Sequence, residues 1–187
     1  MFYNNGYIVK DLIENEDLLI NHRVYRGIQS YHNWPLEREK DSISKELTKV
    51  VDNYFDNNNY IEIMRDTKLL EQYVKHCKKI KIDVIIMKIM SCKNTFTTNE
   101  DLKEIEELGY DCMAGDNVSY LTEVFTKDSD RFDVYKRFKD KLNSNGLLST
   151  YEEVEEFIKG RNKLLQQGIN LEDYWTPIPV KLSLVTI

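Results

Sequence analysis

The sequence predicts an α+β fold in which helices pack on a single mixed or mainly antiparallel sheet. Three observations support this prediction. The 187 residues fit one domain, short apolar runs of strand length are separated by helices or turns, and the last such run alternates between apolar and polar residues. The repeated order of strand and helix leaves an α/β fold as the alternative.

We expect one domain over residues 1–187, because no repeat and no linker-like change of composition divides the chain. Within it, the pattern predicts a mostly helical amino-terminal third, about 1–80, and a strand-containing remainder, about 81–187. Residues 7–21 fit a short strand or a helix, and residues 24–28 a short strand.

Two helices are predicted next. Residues 41–55 place their apolar side chains on one helical face, and residues 66–79 do the same after Asp66, which is a suitable N-cap. Residues 82–90 are almost uniformly apolar and β-branched, which predicts a central strand covered on both faces.

The remaining elements follow from caps and alternation. We expect a helix over 98–109 that ends at a glycine, strands over 110–113 and 118–125, and a helix over 130–142. Ser149 and Glu152 form a predicted capping box for a helix over 151–167. Residues 178–187 alternate as a strand, and Pro179 near its start predicts a position close to a sheet edge.

Charge and composition exclude several classes of function. The chain has 26 Lys and Arg against 32 Asp and Glu, a net charge of −6, which argues against a general nucleic-acid binder. No apolar run approaches the roughly 20 residues of a membrane span, and the first residues do not resemble a signal peptide. We therefore expect an acidic, cytoplasmic protein that contacts no membrane.

The cysteines and histidines predict no disulfide framework and no metal site. The three cysteines, an odd number, are widely spaced, and the histidines do not form close pairs with them: Cys77, Cys92, Cys112, His22, His32 and His76. We expect reduced thiols, no metal and no cofactor. No catalytic motif such as a phosphate-binding loop or a Ser-His-Asp order is present, so we expect no catalytic residues.

The candidate partner-binding residues are acidic or aromatic and lie in three stretches of the carboxyl-terminal half. They are Asp111, Asp116, Tyr120, Glu152, Glu153, Glu156, Tyr174 and Trp175. Carboxylates steer a basic partner, and large aromatic side chains anchor an interface. Each stretch also has a structural explanation: turn chemistry for the first, complementarity to the helix dipole for the second, and packing over the core edge for the third.

The carboxyl-terminal half resembles small bacterial immunity proteins, which neutralise a cognate toxin. The resemblance lies in the stretch ELGYD at 107–111, the stretch LNSNGLL at 142–148 before a capped helix, and a closing strand after Trp175. It implies inhibition by occlusion, in which an acidic face docks on a basic nuclease or other toxin.

The leading hypothesis is therefore a stoichiometric inhibitor of a partner protein, for which we favour a toxin. One alternative is a phage-type inhibitor of a bacterial defence protein. Another is an enzyme acting on a nucleotide or small molecule, with Asp111, Asp116 or Arg26 involved. A third is a module that forms a homodimer through the exposed edge of the last strand. We expect the partner to be a cognate protein, and the acidic charge favours a basic one. We expect the chain to be a monomer or a homodimer. Few arginines and many Asn, Ile and Tyr residues suggest a bacterial source.

Overall fold

The computed structural model confirms the α+β fold. It describes residues 1–11, 19–20, 23–24, 49–50, 53, 63–81, 84–93, 98, 100–113, 119–125, 130–169, 171 and 176–187. The elements are β1 (Tyr3–Asp11), β2 (Leu19–Ile20), β3 (Arg23–Val24), α1 (Thr67–Lys79), β4 (Val84–Ser91), β5 (Lys103–Met113), a 3₁₀ helix (Tyr120–Phe125), α2 (Asp133–Lys139), α3 (Tyr151–Gln166) and β6 (Ile178–Thr186).

Four strands form one antiparallel sheet in the order β1-β4-β6-β5, and β2 pairs with β3 in a separate two-stranded ribbon. The prediction that the last strand lies near an edge is wrong, since β6 is paired on both sides. Pro179 is compatible with this position because the ladder to β4 starts only at Val180. The homodimer hypothesis loses its basis, because it required a free edge on this strand.

Both faces of the sheet carry a core. On one face, α2, α3 and the 3₁₀ helix cover residues such as Ile8, Met87 and Leu182. On the other, α1 packs over Tyr7 and Ile86 together with their neighbours. Residues 86–91 of β4 are all buried, which confirms the predicted central strand.

The two best-patterned helices are confirmed. In α1, the Asp66 carboxylate accepts hydrogen bonds from the backbone of Lys68 and Leu69, at 3.0 and 3.1 Å. The cap of α3 lies one residue further on than predicted. The Thr150 hydroxyl accepts from the Glu153 backbone at 3.2 Å, and the Glu153 carboxylate accepts from the Ser149 backbone at 3.1 Å.

Two predictions between residues 98 and 125 are wrong. Residues 103–113 form the long strand β5, not a helix followed by a short strand. Its pairing with β6 shifts register between Glu104 and Glu106 and between Glu107 and Gly109. Each bulge adds a residue to β5, Ile105 in one and Leu108 in the other, which interrupts the alternation of the strand. Gly109, which was predicted to end a helix, has its φ of +131° at the second bulge. Residues 120–125 are a 3₁₀ helix, not a strand.

The amino-terminal third contributes β1 to the sheet. Residues 7–21, for which the sequence allowed either a strand or a helix, therefore begin as a strand. Lys49, Val50 and Asn53 are helical, within the helix predicted over 41–55. The other residues of that helix lie outside the described residues. In the strand predicted over 24–28, only Val24 is described, and it belongs to β3.

A short segment covers each outer strand at its middle. On β1, Tyr7 exchanges two backbone hydrogen bonds with Met64, at 2.9 and 2.8 Å. On β5, Tyr110 exchanges two with Leu148, at 2.8 and 2.9 Å. Gly6 and Gly109 precede these contacts, and both have a φ of +131°, which L side chains rarely adopt. The close approach of these segments blunts both edges of the sheet.

Candidate protein-binding surface

Two predicted site residues are buried. Asp111 is 2% exposed, and its Oδ1 accepts hydrogen bonds from the Cys112 backbone and the Ser119 hydroxyl, both at 2.7 Å. Tyr120 is 7% exposed, and the fully buried guanidinium of Arg161 lies 4.0 Å from its ring centroid. These residues belong to a polar cluster inside the core, so they present no accessible side chain to a partner.

Asp116, Tyr174 and Trp175 lie outside the described residues, as does Arg26. Glu152, Glu153 and Glu156 all lie in the first two turns of α3. These three acids are therefore the predicted site residues that the structure brings together, at the start of this helix.

Ion pairs with α2 and the turn after it engage two of these acids. Glu156 lies 2.9 Å from Arg137, and Glu153 lies 3.3 Å from Lys141. Exposed pairs of this kind contribute about 0–1 kcal/mol each. Their role is local, since they fasten α3 to the preceding segment, and Glu153 also caps the helix. Glu152, the second residue of α3, is exposed.

Three half-buried aromatic rings meet beside Glu152, and sequence reasoning did not find this cluster. The Phe2 ring centroid lies 6.0 Å from that of Tyr110 and 5.8 Å from that of Tyr151, with the latter pair edge to face. Phe2 precedes β1, Tyr110 lies on β5 and Tyr151 opens α3. Because these contacts join residues far apart in the chain, no local pattern could have signalled them.

Three carboxylates lie close to the two tyrosines of this cluster. Burial and then the nearby carboxylate of Glu107 raise the pKa of the Tyr110 phenol, and Glu152 contributes in the same direction. Burial and the adjacent Cys92 raise the pKa of Tyr151, with further contributions from Glu155 and Glu152. We call this group the aromatic–acidic surface: Phe2, Tyr110, Tyr151, Glu107, Glu152 and Glu155. It combines apolar area with three nearby carboxylates.

Lys181 positions one of these carboxylates. Its ammonium lies 2.6 Å from the Glu107 carboxylate. Residue Lys181 pairs with Tyr110 in the β5–β6 ladder. The hydrogen bond that the Lys181 ammonium donates to Glu107 raises the pKa of Lys181. Glu107 is half exposed, so its carboxylate remains accessible while it is held against the sheet.

A second polar cluster lies on the α1 face of the sheet and is internally paired. Lys88 has a side chain only 5% exposed, and its ammonium lies 2.7 Å from Asp101 and 2.9 Å from Glu104. The Tyr7 hydroxyl donates to the Glu100 carbonyl at 3.0 Å and accepts from the Leu102 backbone at 2.9 Å. The cluster therefore fastens the segment before β5 onto β1 and β4, which is a structural role.

This cluster predicts a loss of stability in acid. The hydrogen bond from Lys88 lowers the pKa of Glu104 in the folded protein, below the value of about 4.3 for an unfolded chain. Its contribution to stability is therefore complete above the unfolded pKa and is lost as the pH falls through the folded pKa. In urea titrations between about pH 6 and pH 3, we expect Glu104→Gln to lose less stability than the wild-type protein. Glu71→Gln, from an exposed pair with Lys75, is the control, and an equal response of both variants would contradict the prediction.

Neither metal coordination nor membrane spanning has structural support in the part of the chain described. Within those residues, no three or more His, Cys, Asp or Glu side chains lie together as metal ligands would. No helix among them is long and apolar enough to cross a bilayer.

Comparisons with protein-family models, with curated proteins and with solved structures find no match to this chain. The interpretation of the surface therefore depends on its own chemistry.

Proposed function

We propose that the chain is a stoichiometric inhibitor that binds a basic partner protein through its aromatic–acidic surface. The observation that carries the proposal is the convergence of three half-buried rings close to three carboxylates, those of Glu107, Glu152 and Glu155. Tyrosine and phenylalanine bury large areas with little loss of side-chain entropy, and they are frequent anchors of protein interfaces. The carboxylates complement a basic partner, and the net charge of −6 favours its approach.

The resemblance to immunity proteins supports the same mode of action. An inhibitor of this type needs a rigid surface, because ordering a flexible one on binding lowers affinity. Tyr110 and Tyr151 meet this need, since β5 is clasped by Leu148 and α3 is capped by Thr150. The class of partner we favour is a toxin; a bacterial defence protein is the alternative within the same mechanism.

The test compares two double variants of the purified chain. Tyr151→Ala with Glu152→Lys alters the aromatic–acidic surface, whereas Tyr73→Phe with Glu71→Lys changes α1, which lies on the other face of the sheet. Each is used to capture partners from the native host lysate, followed by size-exclusion chromatography and titration of the partner's activity. We expect one basic partner in a 1:1 complex, inhibited at equal concentration by the wild-type protein.

The surface variant should bind this partner about 30-fold or more weakly, as expected when a central aromatic anchor is lost. It should also lose much of the dependence of the association rate on salt. The α1 variant should behave like the wild type. Circular dichroism checks that each variant is folded. Equal binding by the surface variant, or a partner that remains active in the complex, would refute the proposal.

A further inference from the structure

We propose that the groove between α2 and α3 is a second binding site, which accepts an acidic amphipathic helix from a partner protein. The groove encloses about 810 Å³. It lies along the later turns of α3, whereas the aromatic–acidic surface lies at the start of that helix. The proposal is independent of the function proposed above.

The shape of the groove suits a peptide. Its lining begins at Glu156 on α3 and extends past the end of that helix to Ile169. At 1.5 Å per residue this is about 20 Å, or roughly four helical turns of a ligand. Gly160 allows the close approach of the two helices, because a Cβ there would lie 2.5 Å from Cγ2 of Val134.

The chemistry of the lining selects an acidic, amphipathic ligand. Apolar side chains, among them Phe132, Val134 and Leu164, form part of the lining. Four cations and two carboxylates complete the charged lining, and these are Arg131, Arg137, Lys159 and Lys163 with Asp133 and Glu156. The groove is therefore positive, by 4 − 2 = 2 charges, in a chain whose net charge is −6.

The cations are arranged along both walls. Arg131 precedes α2, Arg137 lies in the last turn of α2, and Lys159 and Lys163 lie one turn apart on α3. Both lysines are exposed. A helix with an apolar stripe bordered by Glu or Asp would place its stripe between the walls and its carboxylates opposite these groups, which is the helix-in-groove mode of recognition.

The experiment uses a display library of random peptides of roughly 14 residues, a length that matches the groove, selected against the full chain. We expect enriched peptides to be acidic, with apolar residues at helical spacing. A fluorescein-labelled member should bind about tenfold or more weakly to Lys159→Glu with Lys163→Glu than to the wild type, because its carboxylates then meet like charges.

The matched control is Lys75→Glu with Lys79→Glu, which makes the same charge change at the same spacing on α1. It should leave the affinity within about twofold of the wild type. Three outcomes would overturn the proposal: selection of peptides without acidic character, equal weakening by both variants, or no weakening by either. Sedimentation velocity on the chain alone tests whether a second copy of this chain occupies the groove instead. Self-association that the α3 variant abolishes would identify that copy as the occupant and would also overturn the proposal.

Discussion

Replacing Gly109 by alanine is expected to destabilise the protein by about 3 kcal/mol, the sum of backbone strain and a disturbed contact. The φ of Gly109 is +131°, and a Cβ there would lie 2.8 Å from the Leu148 carbonyl oxygen and 2.9 Å from Asn143 Nδ2. A backbone carbonyl cannot move aside without breaking its hydrogen bond to Tyr110. Urea denaturation followed by circular dichroism measures the change.

Gly168→Ala is the matched control for this variant. Gly168 also has a positive φ, +78°, but a Cβ there would meet no atom within 4 Å. We therefore expect a cost of only about 1–2 kcal/mol, which is that of a left-handed backbone alone. Equal losses at the two positions would show that the approach of the segment at Leu148 to β5 contributes nothing to stability.

Replacing Asp111 by alanine is the second change for which we expect a large effect, again about 3 kcal/mol. The Cys112 N–H and the Ser119 hydroxyl both donate to Asp111 Oδ1, and both would lose this acceptor in a buried site. The buried guanidinium of Arg161 lies in the same core, over Tyr120, the residue after Ser119. The decrease in the urea midpoint, at an unchanged dependence on denaturant, is the measurement.

Two further variants separate the causes. Asp140→Ala removes an exposed carboxylate at the end of α2 and should change stability by no more than about 0.5 kcal/mol. Asp111→Asn keeps an oxygen acceptor and should retain part of the stability lost in the alanine variant. A loss of less than about 1 kcal/mol in Asp111→Ala would contradict the structural role, because a buried acceptor of two hydrogen bonds is worth more than that.

Elements with strong local signals were predictable from the sequence. The capped helices α1 and α3 and the apolar strand β4 have periodicities that one window of sequence contains. β5 was mistaken for a helix because Gly109 was taken as a helix end, whereas it lies at one of the two bulges that interrupt the alternation of this strand. The position of β6 depends on its neighbours in space, which alternation cannot reveal, and Pro179 suggested an edge only because the start of the ladder to β4 was unknown.

The candidate site was less predictable. The exposed acids of α3 were identified from composition, since charged residues near a helix start are visible in sequence. Asp111 and Tyr120 were placed on the surface because a carboxylate and a phenol are usually exposed, whereas a buried arginine accompanies them here. The contact of Phe2 with Tyr110 and Tyr151 joins three distant segments, and only the fold brings them together.

The strand order has a consequence for how the molecule reaches its folded state. β5 follows β4 closely in the chain, yet the two are separated in the sheet by β6, which is synthesised last of the four. A direct β4–β5 hairpin would close a short loop quickly and would have to open before β6 could enter. The high sequence separation of the β4–β6 and β5–β6 pairs favours slow folding, since a long loop must close before its contacts form. We therefore expect assembly of the sheet to be a late folding event, because β6 must pair with both β4 and β5 before the sheet is continuous.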